Sequence, residues 1–350
     1  MSAAMELRPY VDGRDRGGAA QPMLIADGLR RHFRVKGAGK GAVVRAVDGV
    51  SFTLFKGETL GVVGESGCGK STLARLLLHL IVPDAGELVF DGDPVATPRG
   101  ITVADLRRQV QMVFQDSASS LNPRMPAQDS VAFGPMVNGS TRAEARRIAQ
   151  DILVRVGLRP DLFGPRYPHE LSGGQKQRVN IARALAVGPR MVILDEAVSA
   201  LDKSVEAQVL NLLRELKRTL NLTYLFISHD LNVVRYISDR VLVMYLGQVV
   251  ELGPAAEVFS GARHPYTRAL LGSRLSMDSS RRIESPPLVG DPPSPIDPPS
   301  GCRFRTRCPQ AEAVCEAAMP RLGHWADRSS HVAACHMTDP ASGHSLAGTA

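Results

Sequence analysis

The chain has 350 residues, 44% of them hydrophobic, and its 42 Lys and Arg against 35 Asp and Glu give a formal charge of +7. Such a composition predicts one large or two medium folded domains and excludes a wholly disordered or collagen-like chain. No apolar run reaches the roughly 18 residues of a membrane span, and the N-terminus lacks the apolar core of a secretory signal. The chain has no long Lys/Arg stripe of the kind that binds nucleic acid. Because neither a membrane span nor a secretory signal is predicted, we expect a cytosolic protein whose membrane role comes through a partner.

Short β-type segments dominate the first part of the chain, after a polar leader predicted at residues 1–22. Strands are predicted at 24–25, 43–47, 50–55, Thr59–Val63 and 87–90, and a helix begins within the run GCGKSTLARLLLHL. Residues 105–185 indicate mainly helices and loops, including an amphipathic helix over 141–156. Strands and helices then alternate from 191 to about 251, which predicts a largely parallel sheet covered on both sides.

The character of the chain changes after residue 271. Residues 272–299 are rich in proline and predict an extended linker. Four of the five cysteines follow in a segment at 300–337, which predicts a small separate extension. Residues 338–350 are predicted to be a disordered tail.

A complete GxxxxGK[ST] motif runs from residue 64 to residue 71, between an apolar strand and a helix. Its glycines let successive backbone N–H groups face a phosphate at the start of the helix. Lys70 supplies positive charge near the terminal phosphates, and the Ser71 hydroxyl is suited to Mg²⁺. Cys68 lies beside Lys70 at the same helix start, a setting that predicts a lowered thiol pKa; a small residue that only fills the loop is the alternative.

A second acidic motif follows the apolar residues 191–194. Asp195 stands at the end of this predicted strand, where its carboxylate is suited to a metal, directly or through water. Glu196 is suited to orient or deprotonate an attacking water. Both motifs together predict phosphoryl chemistry.

The run LSGGQ at 171–175, together with both phosphate motifs, resembles the ATP-binding cassette (ABC) ATPases. The resemblance implies an α/β fold, with a RecA-like core, an antiparallel β subdomain and a helical subdomain at about 116–170, all within an ABC ATPase domain at 23–271. It also implies roles for Gln115 as the glutamine that joins the metal site to the helical subdomain, His229 as the switch histidine, and Phe33 as the aromatic that stacks on adenine. Ala197 stands where many relatives have proline.

The resemblance further implies which residues contact ATP and Mg²⁺. Catalytic roles are implied for Glu196, His229, Gln115 and Lys70, and Mg²⁺ would be held by Ser71, Gln115 and Asp195. A closed dimer would place each ATP between one subunit's phosphate loop and the other subunit's LSGGQ run. The ATP-contacting residues would then be Phe33, Gly64, Glu65, Ser66, Gly67, Cys68, Gly69, Lys70, Ser71 and Thr72 and, from the other subunit, Ser172, Gly173, Gly174, Gln175 and Asp202.

Four stretches resemble the oligopeptide and dipeptide importers in particular: QDSASSLNPRM at 115–125, residues 195–213 with AQVLNLL at 207–213, HPYTRALL at 264–271, and PSPIDPPSGC with FRTRCP at 293–309. The ending is most similar to the second of the two ATPases in that group. This implies a partner ATPase, two permeases, a substrate-binding protein, and a peripheral location on the cytoplasmic face of the inner membrane. A transporter of nickel or a glutathione-like compound is an alternative, and an ABC-type ATPase of DNA repair or translation is a more distant one.

The terminal cysteines are Cys302, Cys308, Cys315 and Cys335. Four thiolates can hold a [4Fe–4S] cluster or zinc, and the wide spacings favour the cluster over the tighter pairs of structural zinc. The resemblance adds to this expectation, since some relatives carry a cluster in this extension. Zinc, or no metal, stays open as an alternative.

Overall fold

The computed structural model describes residues 21–35, 37, 42–116, 119–273, 290–323 and 330–348. The predicted leader up to residue 20 and most of the predicted linker lie outside these ranges. The described strands are β1 (Pro22–Arg34), β2 (Val43–Phe55), β3 (Thr59–Val63), β4 (Ala85–Phe90), β5 (Asp93–Pro94), β6 (Val110–Val113), β7 (Met191–Asp195), β8 (Thr223–Ile227), β9 (Arg240–Tyr245), β10 (Gln248–Pro254) and β11 (Val332–Ala333).

The described helices lie between these strands in the chain. They are α1 (Lys70–Leu77), α2 (Val103–Gln109), α3 (Ala127–Val137), α4 (Arg142–Arg155), α5 (Pro160–Phe163), α6 (Gly173–Leu185), α7 (Lys203–Leu220), α8 (Leu231–Ile237), α9 (Ala255–Ser260), α10 (Pro265–Gly272) and α11 (Ala313–Ala317). Short 3-10 turns lie at 168–170, 305–307 and 336–338. Within the described ranges, no helix combines the length and apolarity needed to cross a bilayer.

The chain forms two compact units. The first comprises residue 21, residues 55–59 and residues 96–228; the second comprises residues 22–54, 60–95 and 229–348, each with the gaps named above. This interleaving differs from the predicted succession of a cassette at 23–271 and a separate extension at 300–337. The extension belongs to the same unit as the phosphate loop.

In the first unit, β6, β7 and β8 pair in parallel. All five residues of β7 and all five of β8 are buried, because parallel strands are covered on both faces. Helices α3, α4 and α6 pack on one another between β6 and β7 in the chain. Helix α4 begins at a capping box of Thr141 and Glu144 and buries Ala145, Ala149 and Ile152, as its helical period predicts.

In the second unit, one sheet has the strand order β2-β1-β4-β5. A second group joins β3 to β9 in parallel, β9 to β10 antiparallel and β10 to β11 antiparallel. The segments predicted separately at 43–47 and 50–55 form the single strand β2, in which Gly49 has a left-handed φ of +79°. The glycine bends the strand without ending it.

The C-terminal segment, from residue 300 to residue 348, is ordered as far as it is described. The sequence predicts disorder from residue 338, whereas residues 338–348 form turns held by hydrogen bonds. Gly348 N–H donates to the Met337 carbonyl (2.8 Å), and Ser345 N–H donates to the Glu312 carboxylate (3.0 Å). Contacts with α11 and its flanks offset the polar composition on which the prediction of disorder rests.

Candidate functional site

The phosphate loop lies in the second unit, between the buried strand β3 and helix α1. Gly64, Gly67 and Gly69 have φ values of +152°, +78° and +110°. A Cβ atom at Gly64 would lie 2.2 Å from the Met244 carbonyl oxygen, and one at Gly69 would lie 2.1 Å from that of Ala46. Neither position accepts a side chain, so the loop keeps the tight curl that an anion cradle requires.

Lys70 is buried at the first position of α1, with 6% of its surface exposed. Its Nζ donates to the carbonyl oxygens of Gly64 (2.8 Å) and Glu65 (2.9 Å), so the ammonium lies inside the curl of the loop. Ser66 and Gly67 are exposed at the loop tip, and Ser71 and Thr72 are half-buried in the first helical turn. The predicted phosphate-contacting residues of the loop are thus assembled.

Cys68 differs from its sequence prediction. The thiol is buried, with Sγ 3.7 Å from Lys70 Nζ. Burial raises the pKa of this thiol, against the opposing effect of the Lys70 charge. The predicted lowering of the pKa is therefore wrong, because the helix start that should stabilise the thiolate is also removed from water.

Phe33 lies in the second unit, near the end of β1. Its ring is half-buried, and the Arg31 guanidinium carbon lies 5.0 Å from its centroid. An aromatic ring with partial exposure is suited to stacking on a base, and the cation–π contact with Arg31 steadies it.

The acidic motif lies in the first unit, where β6 and β7 end side by side. Asp195 closes β7 and is 5% exposed. Glu196 follows with a left-handed φ of +48°, and its backbone N–H donates to the Ile227 carbonyl (2.9 Å). A non-glycine residue in this conformation is uncommon and marks a constrained position at a strand end.

Gln115 and Glu196 are in direct contact in the first unit. Gln115 Nε2 donates to Glu196 Oε2 at 2.8 Å, across 81 positions of sequence. The parallel register that pairs Val113 with Leu194 explains this contact, because it brings the two strand ends to one edge. The Gln115 amide nitrogen is the donor, so its oxygen is the atom suited to a metal.

The LSGGQ run begins helix α6 of the first unit. The Ser172 hydroxyl accepts from Gln175 N–H (3.3 Å), while the Gln175 side chain accepts from Ser172 N–H (2.9 Å). Ser172 and Gly173 are exposed, and a Cβ at Gly174 would lie 2.5 Å from Val205. This capping box fixes a helix start of the kind that binds phosphate.

Two further predicted residues stand at helix starts or strand ends. Asp202 is the exposed N-cap of α7, and its pKa is lowered because it accepts from Val205 N–H and from the Ser204 hydroxyl. His229 follows β8 by two residues and is exposed. Asp230, which the sequence does not single out, caps α8 through bonds from Asn232 N–H and Val233 N–H.

The four C-terminal cysteines lie in the second unit. Among the described residues, these cysteines included, no three or more His, Cys, Asp or Glu side chains stand in the arrangement of a metal site. The predicted four-thiolate site is therefore not formed in this structure. Burial raises the pKa of Cys302 to about 12, and it also raises that of Cys308 and Cys335; neighbouring thiols add to each shift. The thiols are near enough to interact electrostatically.

Comparison with known proteins agrees with this geometry. Residues 47–199 match the ABC transporter family, and residues 250–315 match the oligopeptide/dipeptide transporter C-terminal region. A putative peptide import ATP-binding protein of Brucella ovis is 47% identical over 90% of this chain and 97% of its own length. The oligopeptide transport ATP-binding protein AppF of Bacillus subtilis is 50% identical over 84% of this chain and 90% of its own length.

Solved structures show the same relationship. CbiO1 of Clostridium perfringens, part of the ABC transporter complex cbiONQ, has a TM-score of 0.60 and 29% identity, covering 69% of this chain and 91% of its own. The dimeric bacterial ABC transporter cassette MJ0796 has a TM-score of 0.59 and 27% identity, covering 67% and 99%. The chain therefore belongs to the family of ABC transporter ATP-binding proteins, and it carries the C-terminal region of the oligopeptide and dipeptide transporters.

Proposed function

We propose that this ABC ATPase drives the import of oligopeptides or dipeptides. The match of residues 250–315 to the oligopeptide/dipeptide transporter C-terminal region carries this proposal. The catalytic motifs cannot carry it, because they are common to ABC ATPases of every cargo. Relatives named for peptide import and oligopeptide transport, at 47% and 50% identity over most of the chain, support the same cargo class.

In the proposed mechanism, each part of the site has a separate task. Phe33 stacks on adenine, and the backbone from Gly64 to Thr72 cradles the phosphates with Lys70 as their countercharge. Ser71, Gln115 and Asp195 would each supply one oxygen donor to Mg²⁺, and this set of a hydroxyl, an amide and a carboxylate suits a hard cation that would supply positive charge for the phosphates. The support is the curl of the loop around Lys70 and the burial of Asp195.

Glu196 is the proposed general base. Its 2.8 Å bond from Gln115 Nε2 fixes one carboxylate oxygen, and the left-handed backbone at Glu196 fixes the direction in which the side chain leaves the strand. His229 contacts the γ-phosphate in this proposal. Gln115 is followed in the chain by α3–α6. Movement of these helices would therefore change the orientation of the Glu196 carboxylate through this hydrogen bond.

The second phosphate contact comes from a partner subunit in this proposal. Ser172, Gly173, Gly174 and Gln175 of one ATPase meet the nucleotide held by the other, and Asp202 lies at the same interface. The exposure of Ser172 and Gly173 at a capped helix start supports this role, since both can meet a ligand from outside. A second, homologous ATPase is the proposed partner.

The assembly would also contain two permeases and a substrate-binding protein, with the ATPase peripheral on the cytoplasmic face of the inner membrane. Helix α3 offers a surface for a permease: Phe133 is 55% exposed and Val137, one turn later, is 69% exposed. Pro135, which lies between them on the same helix, is buried. The proposed docking surface therefore consists of Phe133 and Val137.

We propose that Cys302, Cys308, Cys315 and Cys335 bind a metal, with a [4Fe–4S] cluster preferred to zinc. The mutual effect of their thiols on pKa supports their proximity, and binding would require them to lose their protons and close on the metal. Anaerobically purified protein is expected to contain about four iron and four sulfide per chain. One zinc per chain would replace the cluster, and metal-free protein with an ordered C-terminus would remove the proposal.

Uptake in cells tests the cargo. A strain lacking this chain is complemented with the wild type or with Glu196→Gln, and uptake of a labelled dipeptide, a labelled pentapeptide, nickel and glutathione is compared. We expect wild type to restore peptide uptake and Glu196→Gln to fail. Restored uptake of nickel or glutathione alone would assign the same motor to another solute.

A further inference from the structure

Arg307 of the C-terminal segment holds a residue of the phosphate loop. Its Nη1 donates to Glu65 Oε2 at 2.9 Å and its Nη2 to Glu65 Oε1 at 3.1 Å. The Arg307 side chain is 5% exposed and that of Glu65 22%. A two-pronged, largely buried guanidinium–carboxylate pair is among the stronger and more directional polar contacts in proteins.

A second contact within the second unit holds the backbone of the same loop residue. Glu65 N–H donates to the Tyr266 hydroxyl at 2.9 Å. The Tyr266 ring is fully buried, with its centroid 4.6 Å from that of Tyr245 and 5.5 Å from that of Phe304. The Tyr245 hydroxyl in turn accepts from Arg307 at 3.4 Å. The three rings pack on one another. Beside them, Arg307 binds the side chain of Glu65 and Tyr266 binds its backbone.

A carboxylate in this loop opposes the loop's own chemistry. Lys70 Nζ, the countercharge for the phosphates, bonds to the carbonyl oxygen of Glu65 at 2.9 Å. The residue that bears the carboxylate is therefore part of the phosphate cradle. Unneutralised, a negative charge there repels a polyphosphate and weakens the positive field that attracts it.

We propose that Arg307 is a positioning residue for nucleotide affinity, which neutralises the Glu65 carboxylate and holds it against the C-terminal segment so that the loop accepts MgATP. The inference rests on the proposed role of the loop as the ATP site. It gives the C-terminal segment a direct part in nucleotide binding, whereas the sequence predicts only a small separate extension.

The chain offers a matched control on the same 3-10 turn. Arg305 pairs with Glu316 at 3.3 Å, a residue whose side chain is 67% exposed, and donates to the Ser300 carbonyl at 3.0 Å. Both of these contacts are made within the C-terminal segment. Removing Arg305 therefore removes the same charge and a comparable side chain without uncovering Glu65.

The test measures MgATP binding to the full-length chain by calorimetry, at low and at high salt. We expect Arg307→Gln to raise the Kd about tenfold or more at low salt, a size that one uncompensated charge near the phosphates supports, and high salt to reduce the effect. Arg305→Gln should leave the Kd near that of wild type. Arg307→Lys, which restores the charge without the fork, should recover part of the affinity.

A double variant separates neutralisation from folding. If Arg307 acts through the Glu65 charge, Glu65→Gln with Arg307→Gln should bind MgATP as Glu65→Gln alone does, even if Arg307→Gln alone is too unstable to measure. A Kd for the double variant weaker by the full Arg307→Gln factor would show a structural role and overturn the proposal, as would an unchanged Kd in Arg307→Gln. Lys70→Ala is included because unaltered binding in that variant would refute the ATP site itself.

Discussion

The Gln115 amide and the Glu196 carboxylate meet at 2.8 Å although 81 residues separate them in the chain. Parallel pairing of β6 with β7 produces this contact, since both side chains follow the carboxyl ends of neighbouring strands. This hydrogen bond links Gln115, which precedes the helices of the first unit, to the proposed base Glu196. We therefore expect different effects from substitutions of the two side chains.

Glu196→Gln is expected to preserve MgATP binding and to lower steady-state hydrolysis by at least about 100-fold, the lower range of what a positioned base contributes. Gln115→Ala should keep the base but lose the bond that orients it, so kcat should fall less than in Glu196→Gln. Gln111→Ala is the control, because the Gln111 amide donates to the Arg107 carbonyl within the same α2–β6 segment. Hydrolysis in Glu196→Gln equal to wild type would show that another group is the base.

Two of the phosphate-loop glycines, Gly67 and Gly69, should respond differently to alanine. Both have positive φ, which costs an alanine about 1–2 kcal/mol. At Gly67 nothing lies within 4 Å of an added Cβ, whereas at Gly69 the Ala46 carbonyl oxygen lies at 2.1 Å. Gly69→Ala should therefore lower the thermal unfolding temperature more than Gly67→Ala and also weaken MgATP binding. Equal losses of thermal stability would show that the loop relaxes at Gly69.

The exposed apolar pair on α3 should matter for transport and not for folding. Phe133→Glu and Val137→Glu are expected to abolish coupled transport while leaving basal ATPase activity and thermal stability near wild type, because neither side chain is buried. Val154→Glu is the matched control, since Val154 on α4 is 61% exposed. Loss of transport in all three variants would contradict a specific docking surface.

The sequence predicts the elements that have strong local signals. The predicted strand Thr59–Val63 agrees with β3 to the residue, and the strands and helices predicted to alternate from 191 to about 251 are found as β7, α7, β8, α8, β9 and β10. Each is a short apolar run or periodic segment bounded by polar or turn residues, so local propensity and burial act together. The 13-residue strand β1 is missed beyond 24–25, because its polar residues form a strand only through pairing with neighbouring strands.

The site is predicted in its motifs and missed in its tertiary contacts. LSGGQ, the phosphate loop and the acidic strand end are local patterns whose spacing carries the chemistry. The Glu65–Arg307 pair spans 242 positions, and no local pattern encodes it. The prediction for the Cys68 thiol is wrong for a related reason. Its sequence neighbours predict a lowered pKa, whereas the burial that raises the pKa comes from the fold.

His264 should make the stability of the second unit depend on pH. The side chain is buried at the N-cap of α10, where Nδ1 accepts from Tyr266 N–H at 3.0 Å. Burial lowers the pKa of His264 from 6.5 to about 4, with the nearby Glu251 carboxylate opposing the shift. Between pH 6.5 and pH 4 the unfolded chain binds a proton at this position that the folded chain does not, so stability falls as the pH is lowered through that range, by up to about 3 kcal/mol.

Replacing His264 with Asn isolates this contribution, because an amide oxygen keeps an acceptor for Tyr266 N–H and does not titrate. Thermal unfolding followed between pH 7 and pH 5 should show a shallower decline in His264→Asn than in wild type. His169→Asn, at an exposed histidine of the first unit, should decline as wild type does. Glu251 acts at lower pH: its pKa is lowered, despite burial, by bonds from His331 and Thr267, so its contribution is present above about pH 4.5 and is lost as pH falls further. Parallel pH profiles for wild type and His264→Asn above pH 5 would show that folding does not lower the pKa of His264.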